Sequence, residues 1–297
     1  MEKILLGSSS LRVSNIGLGA INFGTKTSEE DSFKLMDDYI NEGGNLIDTA
    51  NNYAVWNGGN GGESERVIGK WLNKNNNRKE IIIATKLGAL PKNIENRDFS
   101  NMQGLGRKVI LESVQKSLEN LNTDYIDLLY LHVDDYNTPQ EETLETLNEL
   151  VEKGLIKEIG CSNFRTWRIE RARNICIKNG YKFFSAIQQR YSYLTPTIDA
   201  DFYPQVAVDG DLSDYLKYHN DLTLVAFSPL LKGQYNKREI EKEEYNTLYN
   251  QRKLQRLLDK ESDPNSWVIK YITEQFGGSV ALVTTSNRKH LIDIMKF

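Results

Sequence analysis

Short apolar runs and longer stretches of helical period alternate along this chain from one end to the other. Eight runs rich in Ile, Leu and Val read as strands: residues 15–20, 45–48, 81–86, 126–132, 158–161, 184–188, 222–227 and 280–284. Between them, apolar residues recur at three- and four-residue steps over 29–41, 63–73, 107–120, 139–152, 167–179 and 251–276. That spacing gives a helix one apolar face to bury. Strands as uniformly apolar as Ile81-Ile82-Ile83 suit parallel sheets that are covered on both faces. Eight βα units therefore predict an α/β fold, a closed (β/α)8 TIM barrel, in a single domain spanning 1–297. An open, doubly wound sheet is the alternative topology, but no GxGxxG opens a helix after the first strand.

Turn chemistry agrees with the alternation. Gly43-Gly44 and Gly154 fall where a helix should stop, because glycine enters the left-handed conformation cheaply. Ser28 ahead of Glu29, Glu30 and Asp31 predicts a capped helix start with acidic residues suited to the dipole. Thr138 and Glu141 have the spacing of a capping box. Residues 3–13 read as a β-hairpin turning at Gly7-Ser8-Ser9-Ser10, placed to close the bottom of the barrel. The charged run 237–250 reads as a solvated loop or helix over the site, the most mobile segment by composition.

Composition narrows the function. The formal net charge of -4 comes without a basic block, so nucleic acid is not an expected partner. The two cysteines, Cys161 and Cys176, read as reduced, buried thiols, and no Cys/His cluster has zinc spacing. The apolar run at the N-terminus is too short for a signal peptide. No stretch approaches the ~20 apolar residues of a membrane span, and the expected location is cytoplasmic.

In a βα barrel, chemistry gathers at the C-terminal ends of the strands. Asp48 ends the second predicted strand, Lys86 the third and His132 the fourth, while Tyr53 lies five residues beyond Asp48. Singly, each has an ordinary explanation: a turn cap, a solvated cation, a satisfied histidine, one of 15 tyrosines. Together they form a set suited to carbonyl reduction, which needs hydride delivered to carbon and a proton to oxygen. A tyrosine near its usual pKa of ~10 is a poor proton partner, and a neighbouring ammonium should favour phenolate. The aspartate would hold the lysine, and the histidine would donate a hydrogen bond to the substrate oxygen.

In these segments the chain resembles the aldo-keto reductases, over nearly its whole length. The carriers are LGSSSLRVSNIGLGAINFG, NLIDTANNY with Asp48 and Tyr53, GGESERVIGKWL, IIIATK with Lys86, TDYIDLLYLH with His132, and EKGLIKEIGCSNF. The resemblance implies a catalytic set of Asp48, Tyr53, Lys86 and His132, and a nicotinamide dinucleotide as cofactor. It further implies that Ser162, Asn163 and Gln188 hold the carboxamide and that Phe227 stacks on the nicotinamide. Gly19, Ala20, Ile21 and Asp48 would lie beneath that ring, and Ser228, Pro229, Leu230 and Gly233 would wrap the pyrophosphate. Thr284, Ser286, Arg288 and His290 would meet the adenosine phosphate.

Three departures from the pattern bear on the cofactor. SPLLKGQY is shorter than the usual loop, and Gln234 stands where a lysine is common. VTTSNRKHLID has Thr284 where a glycine usually opens the motif. The sequence ends at Phe297, without the further C-terminal helix that many members carry. Arg288 and Lys289 supply positive charge for a 2′-phosphate, so the expectation is NADP(H) over NAD(H). The implied function is reduction of a small aldehyde or ketone, with Tyr53 as general acid. HVDDYNTP resembles the branch containing bacterial general stress reductases and potassium-channel β subunits, so a cofactor-sensing regulatory protein is the alternative. A metal-dependent hydrolase on the same barrel is the third reading; the chain has three histidines and no ligand cluster in sequence.

Overall fold

Eight strands of the computed structural model pair in parallel and close on themselves, the barrel that the alternation predicts. The structure describes residues 1–95 and 99–296. An antiparallel hairpin, β1 (Lys3–Leu5) and β2 (Arg12–Ser14), comes first. The barrel strands follow as β3 (Ile16–Gly19), β4 (Leu46–Asp48), β5 (Ile82–Leu87), β6 (Ile126–Leu131), β7 (Ile156–Ser162), β8 (Ala186–Arg190), β9 (Thr223–Phe227) and β10 (Val280–Val283). Closure occurs at β10, where Ala281 stands opposite both Ile16 of β3 and Ala226 of β9.

Two apolar layers result from the period-two alternation of strand side chains. Leu46, Ile82, Ala84, Leu128, Tyr130, Ala186 and Val225 point into the barrel and form one buried cluster. Ile47, Ile83, Leu129, Ile159, Ile187 and Ala226 point out and pack with the helices. Leu6 and Val13 of the hairpin region join the inner cluster, so the hairpin closes the end opposite the strand C-termini. Polar contacts fix it there: Ser14 N donates to Asn45 Oδ1 at 2.7 Å, and Gly7 N donates to Thr223 Oγ1 at 2.7 Å. Gly7 has φ +52°, and a Cβ there would lie 2.3 Å from Ser185 O and 2.4 Å from Asp221 O. Gly7→Ala is therefore expected to destabilise the fold by about 1–3 kcal/mol. A lower urea midpoint at constant m-value checks this; an unchanged midpoint contradicts it.

The outer layer among the described residues is α1 (Glu29–Asn41), α2 (Glu63–Asn75), α3 (Arg107–Leu121), α4 (Gln140–Glu152), α5 (Thr166–Asn179), α6 (Gly210–Tyr218), α7 (Leu248–Lys260), α8 (Pro264–Thr273) and α9 (Arg288–Met295). Ser28 caps α1 by accepting from Asp31 N, as expected. Three local expectations are corrected. The stretch 251–276 is broken rather than continuous: α7 ends at Lys260 and α8 restarts with Asp263 as its cap and Pro264 in its first turn. Proline has no N–H to offer an interior helical bond, which makes it a starter. Thr138 does not cap α4; its hydroxyl donates to Asp135 Oδ2 at 2.7 Å, and Pro139 takes the cap position. The nine-residue α6, capped by Asp209, falls in a stretch with no predicted element. The charged run 237–250 is pinned at three points by the buried side chains of Ile240, Tyr245 and Asn250. Among the described residues no helix is long and apolar enough to cross a membrane.

Candidate active site

Strand parity brings the candidate residues together. Asp48 follows inward-facing Leu46 by two residues, Lys86 follows Ala84, His132 follows Tyr130, and Gln188 follows Ala186. Each therefore points into the mouth of the barrel, one layer above the inner core. Tyr53 reaches the same point from the loop after β4. That loop is strapped to β5, since Thr49 N donates to Ala84 O (2.8 Å) and Asn51 N to Lys86 O (3.0 Å). Asn52 Nδ2 adds a bond to Ala89 O at 3.1 Å. The turn closes through Ala54 at φ +81°, a left-handed conformation unusual for a residue with a side chain.

Lys86 is the hub. Its Nζ donates to Asp48 Oδ1 at 2.5 Å, to Thr49 O at 2.7 Å and to Tyr53 Oη at 2.9 Å. Three donors meet three acceptors, which is the full capacity of an ammonium. Tyr53 Oη also lies 3.4 Å from Asp48 Oδ1, and Gln188 Nε2 donates to Asp48 Oδ2 at 2.8 Å. Lys86 and Asp48 are fully buried, at 0% and 1% exposure, while Tyr53 keeps 8%. The imidazole of His132 stands edge-on to the Tyr53 ring with centroids 6.0 Å apart, and the Trp56 ring does the same from another side. Behind β5, Thr85 Oγ1 donates to Glu65 Oε1 at 2.6 Å, which puts a second buried carboxylate near Lys86.

The electrostatics differ from the expectation in one respect. The Tyr53 phenol is held well above its ordinary value, by burial first and by Asp48 second. The carboxylate that anchors the lysine also faces the phenol, so it offsets the pull of the ammonium toward phenolate. Burial lowers the Lys86 pKa, with Asp48 opposing. His132 is pushed well below its ordinary value by burial and then by Lys86, and is therefore a neutral imidazole. Its Nδ1 is buried and has no hydrogen-bond partner among the described residues. Such an orphan at the mouth of the barrel is a place for a ligand atom.

The residues expected to hold a dinucleotide ring this mouth. Gly19, buried Ala20 and half-buried Ile21 end β3, and Ala20 O accepts from Ser64 Oγ at 2.8 Å. A Cβ on Gly19 would come within 2.4 Å of Thr284 Oγ1, so the threonine occupies space that the glycine leaves. Phe227, facing inward at the end of β9, is half-buried and under the Arg190 guanidinium at 5.8 Å. Beyond it the backbone turns left-handed at Ser228, Leu231, Lys232 and Gly233. Leu230 packs on the helix-side core, and Pro229 O accepts from Ser192 Oγ at 2.5 Å. Nothing lies within 4 Å of a Cβ position on Gly233, and Lys232 beside it is exposed. This open, turned loop with an adjacent cation fits a phosphate-bearing ligand.

Besides Gln188, held by Asp48, two more of the expected contacts are engaged within the protein. Asn163, at φ +60°, donates from Nδ2 to His132 O (2.9 Å) and Ser162 Oγ (3.0 Å) and accepts from Val206 N (3.0 Å). Ser162 Oγ accepts that bond and keeps its own proton to donate. Arg288 is paired with Asp38 of α1, while Thr284, Ser286 and His290 are exposed around it. Gln234 does not face the mouth: it is buried, donating to Glu239 O and accepting from Glu241 N. Trp56, Lys232 and Gln189 also belong to the site and carry no motif of their own in the sequence. Buried Gln189 accepts from Asn163 N at 2.6 Å and donates to Phe164 O at 2.7 Å, and so fixes the turn that carries Asn163. The doubled Gln188-Gln189 was the available signal, since one glutamine of a strand pair faces in and the other out.

Comparison with known proteins points to one family. The profile of the Aldo/keto reductase family matches residues 15–297. The chain is similar to an aryl-alcohol dehydrogenase of Pestalotiopsis microspora, at 36% identity over 216 residues covering 70% of this chain and 55% of that protein. It is similar to norsolorinic acid reductase of Aspergillus flavus, at 35% over 221 residues covering 70% and 54%. It also matches the uncharacterized oxidoreductase YrpG of Bacillus subtilis, at 35% over 234 residues covering 78% and 68%. The chain spans about half the length of the first two. Among solved structures, the aldo-keto reductase AKR11C1 of Bacillus halodurans in its holo form superposes with a TM-score of 0.77. That pair is 26% identical, and the match covers 100% of this chain and 90% of the other.

Proposed function

The chain belongs to the aldo/keto reductase family of oxidoreductases, and from that premise we propose that it reduces an aldehyde or ketone with Tyr53 as the general acid. The observation that carries this reading is the contact of the Lys86 amine with the Tyr53 hydroxyl at 2.9 Å, in front of a neutral His132. When bound, a reduced nicotinamide supplies hydride to the carbonyl carbon. His132 donates a hydrogen bond to the carbonyl oxygen and fixes its direction, and the Tyr53 hydroxyl gives that oxygen its proton. Lys86 then stabilises the phenolate left behind, and Asp48 keeps Lys86 in register. Phe227 would stack on the nicotinamide. Ser162 and Gln188 would hold the carboxamide, and the 228–233 loop the pyrophosphate.

NADP(H) is the favoured cofactor over NAD(H), with Arg288 and Lys289 as the cations for a 2′-phosphate. The aromatic rings of Trp56 and Tyr53 at the mouth, together with the relative named as an aryl-alcohol dehydrogenase, favour aromatic carbonyl substrates. The purified protein should consume NADPH, followed at the reduced-nicotinamide absorbance band, when given a panel of aromatic aldehydes. Tight cofactor binding with no turnover across that panel would replace the enzyme reading with the regulatory one.

The pH dependence follows from the two shifted groups. Reduction needs Tyr53 protonated, and its raised pKa moves the alkaline limb above the ordinary value of 10.0. It also needs His132 neutral, and the lowered pKa moves the acid limb below the ordinary value of 6.5. These two groups therefore put no limb of kcat/KM between those values, and an alkaline limb inside the window is expected only from Lys86, whose pKa burial lowers. An acid limb with its midpoint inside that window contradicts the assignment of His132.

A further inference from the structure

Arg288, the first residue of α9, is already occupied. Its Nε donates to Asp38 Oδ2 at 2.5 Å and its Nη2 to Asp38 Oδ1 at 2.7 Å, a two-pronged pair across 250 positions of sequence. Asp38 lies in the last turn of α1, only 13% of its side chain exposed, whereas Arg288 is 54% exposed. The pair is therefore built on a fixed carboxylate, and the guanidinium is the partner with freedom to leave. Asp37 and Asp31 of the same helix add further negative potential at Arg288. The donors of Lys289 N and His290 N are also taken, both by the Asn287 side chain. A dianionic phosphate arriving here meets a neutralised cation beside three carboxylates.

We propose that Asp38 sets the cofactor preference, competing with the 2′-phosphate of NADP(H) for Arg288 and so holding back selection against NAD(H). This rests on the reading of Arg288 as the 2′-phosphate ligand. Binding NADPH requires the guanidinium to exchange one bidentate acceptor for another, and the phosphate must approach a helix end rich in aspartate. NADH has a hydroxyl at that position and leaves the Asp38–Arg288 pair intact. The pair thus lowers the advantage of the phosphorylated cofactor without touching the nicotinamide end of the site.

Quenching of intrinsic fluorescence gives Kd for NADPH and NADH with wild type, Asp38→Asn, Arg288→Ala and the double variant. Asp38→Asn keeps the shape and removes the charge, and should tighten NADPH up to about fivefold with NADH unchanged, the range of one freed, partly exposed ion pair. Asp38→Ser carries the same expectation should the amide disturb α1, and thermal melting of each variant checks the fold. Arg288→Ala should weaken NADPH alone, and adding Asp38→Asn to it should restore little. If Arg288→Ala leaves NADPH affinity unchanged, the phosphate reading of Arg288 fails and the proposal with it. If Arg288→Ala weakens NADPH but Asp38→Asn weakens it too or does nothing, that reading stands and the role of Asp38 is overturned. Tightening that persists in full without Arg288 would also overturn the competition.

Discussion

Tyr53→Phe is expected to lower kcat for carbonyl reduction by about 10²–10⁴-fold, the usual contribution of a positioned general acid. The cofactor Kd should stay within about twofold of wild type, since the change removes one hydroxyl and no cofactor contact. The ring itself remains wedged between His132 and Trp56, both edge-on at 6.0 Å. Lys86 loses one of three acceptors but retains Asp48 Oδ1 and Thr49 O, so the hub below the phenol persists. Without the hydroxyl, the carbonyl oxygen must take its proton from water or from His132, whose lowered pKa leaves little of its acid form at neutral pH. Single-turnover absorbance measurements with saturating NADPH would read the chemical step directly. Retention of more than a tenth of the wild-type rate would mean that the proton comes from elsewhere.

Lys86→Met addresses stability as well as rate. The ammonium and its carboxylate partner are both sealed from solvent, with side-chain exposures of 0% and 2%. Removing one member of a buried pair leaves the other charged and poorly solvated, at about 3–5 kcal/mol. Asp48 would keep only the Gln188 amide at 2.8 Å and the Tyr53 hydroxyl at 3.4 Å. The double variant Asp48→Asn, Lys86→Met has no charge to strand and should recover most of that loss while remaining inactive. Urea unfolding of the two single variants and the double gives the coupling between them. If the double variant is as unstable as the sum of the singles, the pair contributes no coupled stability and the lysine serves chemistry alone.

The barrel was legible because its determinants are local. Whether a residue of a strand faces in or out depends on its neighbours two positions away, and a helix advertises its buried face at three and four. Asp48, Lys86 and His132 were legible because each ends a predicted strand; that each also continues the inward parity of its strand is a finding of the structure. The break before Pro264 was also written in the sequence, but the apolar period ran across it and hid it. Short α6 offered too few turns for its period to stand out.

What the sequence determined by itself was the order of the barrel strands, the hairpin beneath and the chemical types at the strand ends. The tertiary structure alone decided most of the pairings: Arg288 with Asp38, Asn163 with His132 O, Gln234 with the 239–241 backbone, and the Tyr53 phenol with Asp48. It also reversed the direction of the Tyr53 shift. Periodicity specifies a face but not the partner that the face meets. Partners separated by tens or hundreds of positions are chosen only when the barrel closes, and a charge acquires its effect only once its neighbours and its distance from water are fixed.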